Sequence, residues 1–68
     1  MKRVVVEFSH LSDVCEYSVC AVVEVKGDEA KIVDMMAEDW HGGEPSTKMM
    51  AILEEKTKEL AVAQTQPE

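Results

Sequence analysis

The seven residues DWHGGEP, Asp39 to Pro45, hold the side chains of this sequence best suited to chemistry. His41 could act as a general base assisted by Asp39 or Glu44, with the glycines giving a substrate backbone room to approach. The same groups, joined by His10, could instead ligate a metal ion. The chain has only 2 histidines, however, and lacks an H-E-x-x-H pair, a G-x-S-x-G elbow, a phosphate loop and a C-x-x-C pair. We therefore predict no catalytic residue, no metal ligand and no cofactor, and we keep an enzyme centred on Asp39, His41 and Glu44 as the alternative hypothesis.

A simpler interpretation of these residues is the corner between a strand and a helix. Gly42 and Gly43 supply backbone freedom for a change of direction. Pro45 suits the first turn of a helix, because its φ is preset and it has no amide hydrogen, and Ser46 or Thr47 is an alternative cap. Trp40 would pack at the sheet edge against that helix. Trp40 and His41 also remain candidates for contact with a binding partner.

The elements around this corner follow from the hydrophobic pattern. Alternating apolar and polar residues predict three strands, and apolar residues at helical spacing predict one helix. The predicted ranges are Lys2–Ser9, Cys15–Lys26, Glu29–Met36 and Pro45–Ala61. The fold class is therefore α+β: a three-stranded, mostly antiparallel sheet in the order β-β-β-α, with the C-terminal helix packed on one face. We predict one domain over residues 1–63 and a frayed tail over 64–68.

Gly27 and Asp28 form a two-residue loop of the kind that closes a β-hairpin, with glycine where a primed turn needs positive φ. This reversal aligns two pairs of opposite charge and two apolar pairs. The facing pairs are Lys26–Glu29, Glu24–Lys31, Val25–Ala30 and Val23–Ile32. Such agreement fixes the register of the hairpin.

The same register predicts an apolar patch on the second face of the sheet. It places Val22 opposite Val33 and Cys20 opposite Met35, and one helix can cover only the other face. It also places Asp34 on the helix-covered face, where an unpaired carboxylate would be costly. Either the strand bulges near Asp34, or this carboxylate finds a partner at the end of the sheet, and the bulge is the less costly arrangement. Contiguous apolar patches usually mark contacts, so the patch is our predicted partner-binding surface.

Charge narrows the class of partner. The chain has 14 acidic and 7 basic residues, a net charge of −7. No Lys or Arg lies between Lys31 and Lys48, and the acidic run from Asp34 to Glu44 is either a solvated surface or a lure for a basic protein. This balance disfavours direct nucleic-acid binding and membrane-surface binding. No signal peptide or apolar run long enough to span a bilayer is present, so we expect a cytoplasmic protein.

The two cysteines, Cys15 and Cys20, are expected on opposite faces of one strand, because side chains alternate along a strand. They can then neither bridge each other nor share a metal. We expect two buried or half-buried thiols in the reduced state, as is usual in a reducing compartment.

The hairpin VEVKGDEAKIV, the corner GEP and the helix KMMAILEEKTKEL together resemble the small acidic proteins common in genomes of tailed phages. The likeness covers roughly residues 23–61 and lies in size, charge and strand–strand–helix layout. Many such proteins have no known activity, and some bind and inhibit host machinery. The resemblance implies a bacterial cytoplasmic setting and a protein target, and it transfers no functional residue.

Together these observations favour a non-enzymatic interaction protein that binds a host protein, or itself as a homodimer, through an exposed sheet face or edge. The predicted partner-binding residues are Cys20, Val22, Val33, Met35, Trp40 and His41.

Overall fold

The structure is a computed structural model that describes residues 2–65. It contains three strands and one helix, in this order: β1 Lys2–Leu11, β2 Glu16–Lys26, β3 Glu29–Asp39 and α1 Thr47–Thr65. Both strand pairs are antiparallel and the sheet order is β1-β2-β3. The helix contacts all three strands. The predicted α+β class and β-β-β-α order are confirmed.

The helix begins later and ends later than its predicted range. Ser46 caps it: the Ser46 Oγ accepts a hydrogen bond from the Met49 amide at 3.2 Å, so Pro45 lies before the helix instead of in its first turn. At the other end the helix continues to Thr65. The predicted tail is therefore helical at 64–65, and its positions 66–68 lie outside the described residues.

The strands also extend beyond their predicted ends. β1 runs to Leu11 and β3 to Asp39. The turn between β1 and β2 is formed by Ser12, whose amide donates to the Cys15 carbonyl at 2.9 Å and whose Oγ accepts from the Cys15 amide at 3.2 Å.

The hairpin between β2 and β3 turns at Gly27, which has φ of +61°. This left-handed conformation is one that glycine adopts without a steric penalty. All four facing pairs predicted from the sequence are present in the register. The hairpin prediction is confirmed near the turn.

Further from the turn, β3 carries a bulge. The register shifts between Val22 and Val23, so that Val23 faces Ile32 while Val22 faces Asp34. Val33 is the extra residue, and two successive exposed residues, Val33 and Asp34, interrupt the alternation. Of the two arrangements considered for Asp34, the structure adopts the bulge, which keeps the carboxylate in solvent.

The core lies between the helix and the odd-numbered side chains of β2. Those from Tyr17 to Val25 are all buried and form the unbroken apolar row of this strand. The helix covers them with a stripe at four-residue spacing: Leu53, Thr57 and Ala61. Leu53 packs with Tyr17 and Val19, whereas Ala61 belongs to the cluster near the hairpin end of the sheet. The helix thus runs lengthwise along the strands and leaves the other face of the sheet uncovered.

Candidate functional site

The uncovered face of the sheet, which we call the open face, has an apolar centre. Val5 faces Val22 across β1 and β2, and Val22 faces Asp34, which is preceded by Val33 on the bulge. Val5 is 57 % exposed, Val33 47 % and Met36 71 %. None of these side chains belongs to the hydrophobic clusters packed under the helix. The apolar centre is therefore available for contact with another molecule.

One predicted member of this surface was placed on the wrong face. The bulge moves the register by one residue beyond Val22, so that Cys20 faces Met36 and Ala21 faces Met35. Met35 packs against both clusters under the helix, and Met36 takes its place on the open face. A one-residue shift exchanges the two faces of every later side chain in a strand. The sequence signal that could have identified Met36 was Asp34 itself, because keeping this acid in solvent requires the shift.

Cys20 lies on the open face as predicted, and it is exposed rather than half-buried. It stands between Glu7 of β1 and Met36 of β3 in the register. Its thiol donates a hydrogen bond to the Glu7 carboxylate at 3.8 Å. Cys15 lies on the opposite side and packs in the core. Both thiols are free, in agreement with the prediction that they do not bridge each other.

Charge divides the open face into two ends. At the hairpin end, the Arg3 guanidinium donates to the Glu24 carboxylate at 2.7 Å. This hydrogen bond, with the nearby positive charges of Arg3 and Lys31, lowers the pKa of Glu24. Beyond the apolar centre, the described open-face positions carry acidic side chains and no Lys or Arg: Glu7, Glu16, Asp34 and Glu38. The open face is thus balanced in charge at one end and acidic at the other.

The DWHGGEP corner is a turn organised by Asp39. Its Oδ1 accepts hydrogen bonds from the amides of His41 and Gly43, each at 2.8 Å. The Asp39 carbonyl accepts from the Gly42 amide at 2.9 Å, and Gly42 has φ of +82°. The bond from the Gly43 amide is the main cause of a lowered pKa of Asp39, and the His41 amide and ring add to it, against an opposing effect of burial. A carboxylate held ionised by loop amides is suited to shaping a turn.

Trp40 and His41 lie at the tip of this turn. Trp40 is 68 % exposed, so the prediction that it packs against the helix is wrong. Its ring instead lies 4.2 Å from the His41 ring, centroid to centroid, at an angle of 42°. The reason is that the bonds to Asp39 reverse the chain directly after β3 and direct these residues away from the helix. The two rings form an exposed aromatic pair at the acidic end of the molecule.

The residues proposed for the alternative enzyme have these roles in the structure. Asp39 uses its Oδ1 to bind loop amides, and Glu44 is exposed. Within residues 2–65 no group of three or more His, Cys, Asp or Glu side chains is arranged to hold a metal ion.

A shallow depression of about 950 Å³ joins the open face to the corner. Its lining reaches Gly42 and Glu44 in the corner and includes residues of both sides of the sheet: Glu7, Ser9, Ser18, Cys20, Met36 and Glu38 of the open face, and Phe8, Val19, Met35, Ala37 and Met50, which pack in the clusters under the helix. The depression therefore lies toward the acidic end of the molecule, and apolar as well as acidic residues line it.

Comparison of the chain with protein-family models, curated protein sequences and solved structures finds no significant match. Among the described residues, no helix is both long enough and apolar enough to cross a membrane.

Proposed function

We propose that this chain is a non-enzymatic binding protein whose open face engages another protein that presents an apolar patch bordered by basic residues. The observation that carries the proposal is the row of Val5, Val22 and Val33, left without cover by the only helix described in residues 2–65. Following the phage resemblance, the partner would be a protein of a bacterial host.

The apolar centre supplies the part of the interface that loses its water. Val5, Val22, Val33 and Met36 come from three different strands and meet on one rigid sheet, so little conformational entropy is lost when they are covered. Contiguous apolar surface rimmed by polar residues is the usual form of a protein contact site.

The acidic end of the open face would orient a basic partner as it approaches. Glu7, Asp34 and Glu38 border the apolar centre, and acidic groups at a rim accelerate the approach of a basic partner. Trp40 is exposed in the turn that follows Glu38 and Asp39, and tryptophan is among the residues that contribute most to binding energy when buried in an interface. The same charges repel phosphate backbones, so the partner would be a protein rather than a nucleic acid.

The test is affinity capture from bacterial lysate with the wild-type chain and with Val22→Asp and Val33→Asp. Ile52→Asp serves as the matched control, since Ile52 is a comparably exposed apolar residue on the helix. We expect a captured protein that is retained by the control and lost with both open-face variants. Its purified form should bind more weakly as salt rises. Capture that survives Val22→Asp and Val33→Asp would contradict the proposal.

The alternative enzyme at Asp39, His41 and Glu44 is tested separately. On the binding proposal, added chelator leaves both thermal stability and the captured partner's affinity largely unchanged, and His41→Ala leaves thermal stability largely unchanged. A large loss of thermal stability with chelator would instead point to a bound metal ion.

A further inference from the structure

The two edges of the sheet differ in their readiness to accept another strand. β1 and β3 are both edge strands. β3 is interrupted by the bulge at Val33 and Asp34, whereas β1 pairs with β2 over ten residues without a shift and contains no proline. Bulges are a common means of blocking edge pairing, and an unprotected edge presents a row of free hydrogen-bonding groups. β1 is therefore the edge open to strand addition.

The charges of the two edge strands also favour β1 as the pairing edge. β1 carries two basic side chains, Lys2 and Arg3, and one acidic side chain, Glu7. β3 carries four acidic side chains and one basic side chain. Two copies of a chain with net charge −7 repel each other. The repulsion is smallest when they approach through β1.

We propose that β1 pairs antiparallel with β1 of a second copy, about a two-fold axis that passes through Val5. In this register Arg3 faces the partner's Glu7, and by symmetry Glu7 faces the partner's Arg3. Val4 faces the partner's Val6, and Lys2 faces the partner's Phe8. Arg3 already donates to Glu24, but a guanidinium has five N–H donors and can bind a second carboxylate.

Neighbouring registers lack this complementarity. An axis at Val4 would place Arg3 against the partner's Val5, and an axis at Val6 would place Val5 against the partner's Glu7. An axis at Glu7 would oppose two like charges. An axis between two residues would bring the helix-covered face of one copy beside the open face of the other, which the alternation of side chains disfavours. The register at Val5 is thus the one in which opposite charges meet.

The resulting dimer has a continuous six-stranded sheet with both helices on one side. The two open faces lie side by side, and their apolar rows meet at Val5. This inference concerns the edge of the sheet and does not depend on the proposed binding partner of the open face.

The first experiment tests the position of the axis by cysteine cross-linking. Val5→Cys is introduced into the full chain together with Cys15→Ala and Cys20→Ser, and mild oxidation is followed by non-reducing electrophoresis. Residues on the axis face each other within disulfide range, so we expect a covalent dimer. Glu7→Cys in the same background is the matched control. In the proposed register its two copies lie roughly 14 Å apart, too far for a disulfide.

The second experiment measures mass by light scattering over a range of protein concentrations. Wild type should form a dimer. Glu7→Arg should raise the dissociation constant at least tenfold by opposing it to Arg3 of the partner, and Arg3→Glu combined with Glu7→Arg should restore association. Glu38→Arg on β3 gives the same change of charge at the other edge and should leave the dimer intact.

Circular dichroism establishes that each variant is folded. A wild-type chain that stays monomeric, cross-linking of Glu7→Cys as fast as that of Val5→Cys, or growth into particles larger than a dimer would each overturn the proposal.

Discussion

At the scale of single residues, Asp39 holds the corner and its charge should set part of the acid stability. Its pKa is lowered from the ordinary value of 3.8 by the amides it binds. A group with a lowered folded pKa contributes stability that is complete above its unfolded pKa and is lost as the pH falls through its folded pKa. The contribution of Asp39 should therefore disappear below pH 3.8.

We expect Asp39→Asn to remove this dependence, because an amide oxygen still accepts the loop hydrogen bonds but does not titrate. Wild type should lose more stability than the variant as the pH falls below 3.8, measured as the shift of the urea midpoint. Glu38→Gln is the control that removes a charge from the adjacent position. Parallel acid profiles for wild type and Asp39→Asn would show that the carboxylate does not stabilise the corner.

The adjacent helix residues Leu53 and Ile52 provide a second comparison at this scale. Leu53 is 0 % exposed and packs on Tyr17 and Val19, whereas Ile52 is 46 % exposed. Leu53→Ala should lower the free energy of unfolding by about 2–5 kcal/mol, because it leaves a cavity. Ile52→Ala should change it by only about 0.5 kcal/mol. Urea titration of both variants checks the difference, and equal losses would mean that the helix does not pack as described.

At the scale of elements, the hairpin and the β2 core row could be predicted from sequence, whereas the outer half of β3 could not. The hairpin follows from local pairs around Gly27, whose types agree with one register. The exchange of Met35 for Met36 depends on where one extra residue is inserted. The position of the extra residue depends on a balance between the solvation of Asp34 and the regular hydrogen bonding of β2 with β3. The alternation of apolar and polar residues does not encode this balance.

The corner was predicted as a corner, but its details required the structure. Trp40 is large and apolar, so burial was the natural expectation. Its exposure results from two amide bonds to Asp39 that fix the direction of the chain. The buried position of Thr57 could not be recognised from the apolar pattern, because Thr57 is polar. Its hydroxyl is accommodated in the core by donating a hydrogen bond to the Leu53 carbonyl at 2.7 Å.

Deleting Val33 tests the bulge directly. The deletion removes the extra residue and leaves Asp34 opposite Val22, with Met35 and Ala37 still facing the helix. We expect a folded chain whose stability changes by roughly 1 kcal/mol. Deleting Met36 instead forces an acidic side chain onto the helix-covered face and should cost several kcal/mol. Urea denaturation measures the free energy of unfolding of both variants. Unfolding of the chain on deletion of Val33 would show that Val33 is not the extra residue of a bulge.

At the scale of the whole molecule, shape and charge act together. The principal extents are 35 × 22 × 17 Å and the radius of gyration is 12.2 Å, compared with roughly 11 Å for a compact domain of this length. The long strands leave much surface exposed in relation to the size of the core. A net charge of −7 within these dimensions produces self-repulsion that destabilises the folded state.

Added salt should therefore stabilise the fold. The screening length falls from about 30 Å at 0.01 M to about 8 Å at 0.15 M, which is shorter than the molecule. We expect the urea midpoint to rise with sodium chloride over this range. Repeating the titration at two protein concentrations separates this effect from association. A midpoint that falls with salt would indicate that ion pairs such as Arg3–Glu24 outweigh the repulsion.

The bulge in β3 has one more consequence, for the solubility of the protein. A sheet with two open edges can add further copies at both edges and form a fibre. A sheet with one blocked edge stops at a dimer. With Val33 and Asp34 interrupting the β3 edge, the proposed pairing of β1 occupies the other edge of the described sheet. On this proposal the extra residue limits assembly to a dimer and should lower the tendency of the long strands to aggregate.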